Sequence, residues 1–148
     1  NLKDVKPGYW APEWIFALAD RFKEGMPLHD RTRAAHSCFL ACGNRLLFQC
    51  EDIGRHNAAD KVIGFALLKE NDPAECIIYS SGRIPADMAA KAIRAKIPVL
   101  VSKAAPTSEA VALAKEYGLT LIGAARSDSM RVYYDGRVSE RQETIITR

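Results

Sequence analysis

Apolar positions change their spacing partway along this chain. From residue 36 to 50, "HSCFLACGNRLLFQC" holds two apolar runs around Gly43-Asn44. That arrangement predicts two strands joined by a tight hairpin turn. After residue 50 the spacing becomes helical. Ala59, Val62, Ile63, Ala66 and Leu67 fall at i, i+3, i+4, i+7 and i+8, which predicts a helix over 58–69 with one buried face. Asn57 reads as its N-cap, and Asp60 as an acid near the free N–H groups of the first turn. An alternation follows. "ECIIYS" reads as a strand, "PADMAAKAIRAK" as a helix entered through a proline, and "PVLVS" as a strand. "PTSEAVALAKEY" reads as a helix stopped by Gly118, "LTLIGAA" as a strand, and "RVYY" as one more. Near the start, Trp14 to Phe22 reads as a helix ended by Gly25 and Pro27.

Strands alternating with helices predict an α/β fold with a mixed, mostly parallel sheet. It would carry an N-terminal antiparallel hairpin and helices on both faces, giving three layers. The expected organisation is an N-terminal arm and helix over 1–28, one α/β domain over 29–136, and a polar C-terminal tail over 137–148. Right-handed crossovers would bring every strand-to-helix turn to one edge of the sheet. Four turns are candidates: "EDIGRHN" (51–57), "SSGRIP" (80–85), "SKAAPTS" (102–108) and "ARSDSM" (125–130). Each delivers polar groups, and open α/β sheets bind ligands at this carboxyl edge. Arg55, Arg83, Lys103 and Arg126 add positive charge there, and Gly54 and Gly82 allow close approach of backbone. Helix N-termini favour anions, so the residues alone point to an anion or phosphate site.

The bulk composition narrows the alternatives. At 148 residues, 48% hydrophobic and 26% charged, the chain matches an ordinary globular domain. A net charge of +3 without a dense basic block gives no case for nucleic acid. No apolar run approaches a membrane span, and no secretion signal opens the chain. The expected location is cytoplasmic. The chain opens on Asn1 and is expected to be part of a longer protein.

The four cysteines, Cys38, Cys42, Cys50 and Cys76, include no C-x-x-C pair and are expected to be reduced thiols. Cys38 and Cys42 share strand parity and read as core thiols. His36-Ser37-Cys38 supplies too few ligands for zinc, and the H-x-E and P-C-x-x-C of zinc deaminases are missing. No metal and no catalytic residue is expected in this chain.

Several motifs read together resemble one family. "DIGRHNAADKVIG" (52–64), "SGR" (81–83) with Lys91, "APTSEAVALAKEYGLTLIG" (105–123) and Arg126 ahead of "VYY" are similar to the FdhD family. These are formate dehydrogenase accessory proteins, sulfurtransferases of molybdenum cofactor maturation. The resemblance implies a cytidine-deaminase-like fold without its zinc site. It implies transfer of sulfur from a cysteine desulfurase to the molybdenum bis-guanine-dinucleotide cofactor, which activates formate dehydrogenase, and GDP is a mimic of half that cofactor. The implied partners are the desulfurase and the dehydrogenase, and a second copy of the chain is a candidate partner. The implied cofactor-binding residues are Asp52, Gly54, Arg55, His56, Asn57, Ser81, Gly82, Arg83, Thr107, Ala124, Ala125, Arg126, Ser127, Asp128 and Ser129.

Some positions depart from the family pattern. Its reactive Cys-x-x-Cys is not present in this chain, so the sulfur-carrier role falls on none of these cysteines. Arg33-Ala34 stands where the family has Gly-Gly, and Ala104 where it has Ser. The alternative reading is a guanine-nucleotide-binding module with a deaminase-like fold and no chemistry of its own.

Overall fold

Seven strands hydrogen-bond into one sheet in the order β2-β1-β3-β4-β5-β6-β7. The structure is a computed structural model that describes residues 2–24, 36–68, 72–138 and 143–148. In chain order its elements are α1 (Pro12–Lys23), β1 (His36–Cys42), β2 (Arg45–Asp52) and α2 (Arg55–Leu68). A short 3-10 turn (Pro73–Glu75), β3 (Cys76–Ser80), α3 (Ala86–Arg94) and β4 (Val99–Ser102) follow. The chain continues with α4 (Ser108–Tyr117), β5 (Thr120–Gly123), β6 (Ser129–Tyr134) and β7 (Thr144–Thr147).

The sheet is mixed, but it is not mostly parallel. Only β3–β4 and β4–β5 pair in parallel, whereas β1–β2, β1–β3, β5–β6 and β6–β7 are antiparallel. The reason lies in the connections. Parallel neighbours need a crossover of a dozen or more residues, and here only α3 and α4 carry a strand back beside its predecessor. α2 also crosses over, but β1 lies between the two strands it joins. The expected tail is corrected as well, because Thr144–Thr147 pairs with β6. Four consecutive β-branched residues suit a pleated edge strand, and Ile146 packs into the core.

Helices cover both faces. Ala58, Ala59, Val62 and Ala66 of α2 pack with Met88, Ala89 and Ile93 of α3 and Ala110 and Ala114 of α4. They lie on the face that presents Cys38, Leu40, Ile78, Leu100 and Leu121. The other face, with Phe39, Ile77, Tyr79, Val101 and Ile122, packs under Ile15, Phe16, Ala19 and Phe22 of α1. Because the central strands are covered twice, β3, β4 and β5 are buried throughout. No helix of the described residues is long and apolar enough to cross a membrane.

Local signals explain most boundaries. The Thr107 hydroxyl accepts from the Ala110 amide at 3.2 Å and caps α4. Gly118, at φ 79°, ends that helix in the left-handed region where glycine is unstrained. Asn57 is not the N-cap of α2. The Ala58 amide donates to the Gly54 carbonyl at 3.1 Å, so the helix already begins at Arg55. Asp52 takes over the turn, accepting from the Gly54 amide at 2.9 Å. Leu67, expected on the buried face, is 58% exposed.

The N-terminal arm is bound at the amino edge of the sheet. The Val5 amide donates to the Tyr117 carbonyl at 2.8 Å. Buried Trp10 donates its indole N–H to Asp135 Oδ1 at 3.5 Å. Arg137 grips the same carboxylate through Nε at 3.1 Å and Nη2 at 3.0 Å, and donates from Nη1 to the Trp10 carbonyl at 2.9 Å.

Candidate functional site at the carboxyl edge

The four polar turns do share one edge. β2 runs antiparallel to β1, and β1 antiparallel to β3, so β2, β3, β4 and β5 all point the same way. Antiparallel pairing also brings the first residues of β1 and β6 and the end of β7 to that edge. His36 stands opposite Asp52, Gly123 opposite Arg131, and Ser129 opposite Thr147.

Serines at the strand ends fasten the turns to one another. The Ser81 amide donates to the Ser37 carbonyl at 2.9 Å, and the Ser37 amide donates to Ser81 Oγ at 2.9 Å. Ser80 Oγ accepts from the Gly82 amide at 3.2 Å. Ser102 donates its hydroxyl to the Gly82 carbonyl and accepts from the Ala104 amide at 2.9 Å. The Ala125 amide then donates to the Ser102 carbonyl at 2.9 Å, and the Ala124 amide to the Ala104 carbonyl at 3.1 Å. One run of bonds therefore joins the loops after β3, β4 and β5. Gly123 sits where these loops crowd. A Cβ there would lie 2.8 Å from Pro106 Cδ and from Tyr133 Cε1, so no side chain fits without displacement.

The expected site residues divide by task. Asp52 is committed to the turn. Besides Gly54 it accepts from Asn57 Nδ2 at 3.5 Å and from Lys61 Nζ at 2.8 Å. The Lys61 ammonium, followed by the Gly54 amide, holds the Asp52 carboxyl down to about 2, so it stays ionised at neutral pH. Thr107 caps α4, and Ser81 and Gly82 make the bonds above. Arg55 and His56 form the first turn of α2, but their side chains lie outside the described residues, as does the Arg33-Ala34 departure.

Other residues of the edge leave charge exposed. Arg83 and Arg126 are exposed, and among the described residues neither makes an ion pair or a side-chain hydrogen bond. Lys103 places Nζ 4.9 Å from the centroid of the Phe22 ring and has no carboxylate partner among those residues. The segment from Arg126 to Ser129 is held from two directions. The Arg126 amide donates to the Ser129 carbonyl, and Arg148 donates from Nη1 to the Ser127 carbonyl at 3.0 Å and to Asp20 Oδ2 at 2.9 Å. Ser127 and Arg148 together lower the pKa of the Asp20 carboxyl. Beneath the segment, the Tyr79 hydroxyl donates to the Ala125 carbonyl at 3.0 Å.

Sequence reasoning missed Ser37, Ser102 and Arg148. Ser37 and Ser102 are buried hydroxyls in apolar strands, and a lone polar residue inside such a run was the available signal. Ser37 is 1% exposed, and its Oγ has no hydrogen-bond partner among the described residues, which leaves a buried polar atom unmatched beside the edge. Nothing local marks Arg148. Among the described residues no three His, Cys, Asp or Glu side chains converge as metal ligands. Burial pushes the Cys38 thiol up to about 12 and the Cys76 thiol to about 11, so both are protonated at neutral pH.

Much of this chain is shared with known proteins. Residues 3–139 match the model of the FdhD/NarQ family. The chain is 41% identical over 135 residues to the sulfur carrier protein FdhD of Streptomyces avermitilis, covering 90% of this chain and 48% of that protein. It is 45% identical over 104 residues to protein FdhD of Methanocaldococcus jannaschii, covering 70% and 45% respectively. The chain thus spans about half the length of the curated relatives it matches. A crystal structure from Desulfotalea psychrophila, assigned as a formate dehydrogenase accessory protein, superposes with a TM-score of 0.76 at 34% identity. The match covers 89% of this chain and 58% of the other.

Proposed function

Because this chain belongs to the FdhD/NarQ family, we propose that it supplies the cofactor-binding part of a formate dehydrogenase accessory sulfur carrier. The fold is read as cytidine-deaminase-like without the zinc site. The cargo is the molybdenum bis-guanine-dinucleotide cofactor, which receives sulfur that a cysteine desulfurase provides. Its guanine nucleotide halves lie along the carboxyl edge. The observation that carries this reading is the set of three cations, Arg83, Lys103 and Arg126, which lack carboxylate partners among the described residues and sit on loops fastened to one another. Phosphate oxygens supply what those cations lack, and preset loops lower the cost of ordering them on binding. The unmatched Ser37 hydroxyl lies at the same edge.

GDP is the direct probe. Arg83 follows Gly82 and is exposed just before α3, so its guanidinium is free to reach an anion at the edge. Arg83→Ala removes one charge-assisted contact, about 1.5–3 kcal/mol, or roughly ten- to a hundred-fold in affinity. Calorimetric titration of GDP into wild type and variant measures it. Equal affinities at equal melting temperature would take Arg83 out of the site.

A second reading, a nucleotide-binding module without chemistry of its own, draws support from the thiols. Cys38 and Cys76 are buried and hard to ionise, and this chain has no C-x-x-C. Incubated with a cysteine desulfurase and labelled cysteine, the 148-residue chain is expected to carry no stable persulfide. Stable label on Cys38 or Cys42 would instead place sulfur chemistry within this part of the protein.

A further inference from the structure

The four cysteines fall into two facing pairs. In the ladder between β1 and β2, Cys38 stands opposite Cys50; in the ladder between β1 and β3, Cys42 stands opposite Cys76. We propose that Cys42 and Cys76 are a peroxide-oxidisable dithiol pair, whose product is a disulfide joining β1 to β3 at the amino edge of the sheet.

The ladder phase selects this pair over the other. The Ser81 amide donates to the Ser37 carbonyl, so Ser37 turns its backbone groups toward β3. Backbone groups alternate along an antiparallel strand. Cys38 and Cys42, at odd offsets from Ser37, therefore turn theirs away from β3. That makes Cys42–Cys76 a non-hydrogen-bonded pair, whose Cα atoms lie about 4.5 Å apart with side chains close. Disulfides span Cα separations of about 4.4–6.8 Å, so the bond forms without moving either strand. Cys38–Cys50 is by the same logic a hydrogen-bonded pair, whose side chains stand farther apart than those of a non-hydrogen-bonded pair. Its Cys50 thiol also donates to the Ala58 carbonyl of α2 at 3.3 Å.

Access favours the same pair. Cys38 is fully buried. Cys42 is half-buried and lines a surface pocket with Tyr9, Trp14, Gly43, Ala74 and Glu75. Its thiol donates to Glu75 Oε2 at 3.9 Å, which fixes the Sγ in the pocket. Cys76 is buried directly behind and shielded from the oxidant.

The chemistry balances with a hydroperoxide as oxidant. The Cys42 thiolate attacks the terminal peroxide oxygen, the O–O bond breaks, and the departing alkoxide takes a proton to leave as alcohol. Cys42 is then a sulfenic acid. Cys76 sulfur attacks the Cys42 sulfur, the S–S bond forms, the S–O bond breaks, and hydroxide leaves as water with the Cys76 proton. Two thiols lose two electrons in all, and the peroxide bond is reduced.

The test is treatment of the purified chain with tert-butyl hydroperoxide, then thiol counting in denaturant and peptide mapping without reductant. Two of the four thiols should be lost, one linked peptide should join Cys42 to Cys76, and dithiothreitol should restore both. The oxidised form should melt higher by on the order of 5–10 °C, because the bond closes a long loop in the unfolded chain. Cys42→Ser should leave Cys76 as a free thiol under the same treatment. Retention of all four thiols, a Cys38–Cys50 link, or a link between two chains would overturn the assignment.

Discussion

Arg137→Ala lowers the melting midpoint by on the order of 10 °C at neutral pH, and the loss shrinks as the solution is acidified. The carboxylate of Asp135 is fully buried, and Arg137 supplies both of its charged contacts and fastens the Trp10 carbonyl. Breaking a buried pair from one side costs about 3–5 kcal/mol, because the remaining charge is stranded. The Arg137 side chain is 32% exposed, so water recovers part of this and the low end, about 3 kcal/mol, applies. For a domain of this size each kcal/mol moves the midpoint by about 2–4 °C. The pH dependence follows from the carboxyl group. Burial raises its pKa, but the bonds from Arg137 and Trp10 outweigh burial and leave it below the usual value. A depressed carboxyl contributes stability above its unfolded pKa of about 3.9 and loses it as pH falls through the folded value. In the variant the guanidinium bonds are gone and only the backbone amide of residue 137 and the Trp10 indole oppose burial, so Asp135 protonates more readily. Melting curves at pH 7 and pH 4 should show the larger deficit at pH 7. An equal deficit at both would mean that Arg137 acts through packing alone. Arg137→Lys, which keeps the charge and loses the fork, should recover only part of the loss.

Phe39→Ala costs more still, about 3–5 kcal/mol, the range for emptying a buried phenylalanine site. Phe39 is 0% exposed at the centre of the sheet face under α1. Its ring stacks on Tyr79 with centroids 5.8 Å apart and an interplanar angle of 18°, and Tyr79 also meets Phe22 at 6.3 Å. The space left would be closed in by β3 and α1, which are fixed by their own pairing and packing. The substitution also loosens the ring whose hydroxyl holds the Ala125 carbonyl, so GDP affinity should fall with stability. Urea titration should show a lower midpoint with an unchanged slope, as expected when the native state is destabilised without a change in the surface exposed. A loss below about 1.5 kcal/mol would mean that this site collapses readily, contrary to its place between two fixed layers.

The parts legible in the sequence were those written in spacing and punctuation. The hairpin at Gly43-Asn44, the left-handed stop at Gly118 and the gathering of four turns on one edge all appear as expected. Strand direction was less legible. Apolar strands of this kind suit any strand buried on both faces, so β5 alone gives no sign that β6 returns antiparallel. The start of α2 was misplaced because Asn57 has the residue type of a cap, whereas the cap position is decided by which carbonyl Ala58 reaches. Asp52, Thr107 and Ser81 show the limit for the site itself. Their residue types suit a ligand, yet each is bound by a backbone amide or a neighbouring side chain that lies in the fold and not in the motif. Ser102 and Arg148 act through partners 20 residues and more away, a separation that local pattern does not report.

The position of β1 between β2 and β3 has a kinetic meaning. The β1–β2 hairpin closes through a two-residue turn, an event of microseconds. The pairing of β1 with β3 must wait until the whole of α2 has been looped out, and that closure carries an entropic penalty before any contact repays it. The hairpin is therefore expected to dock as a preformed ribbon with its β1 side facing inward. Lesions in β1 would then slow folding, whereas lesions in β7, which joins a sheet already assembled, would chiefly hasten unfolding.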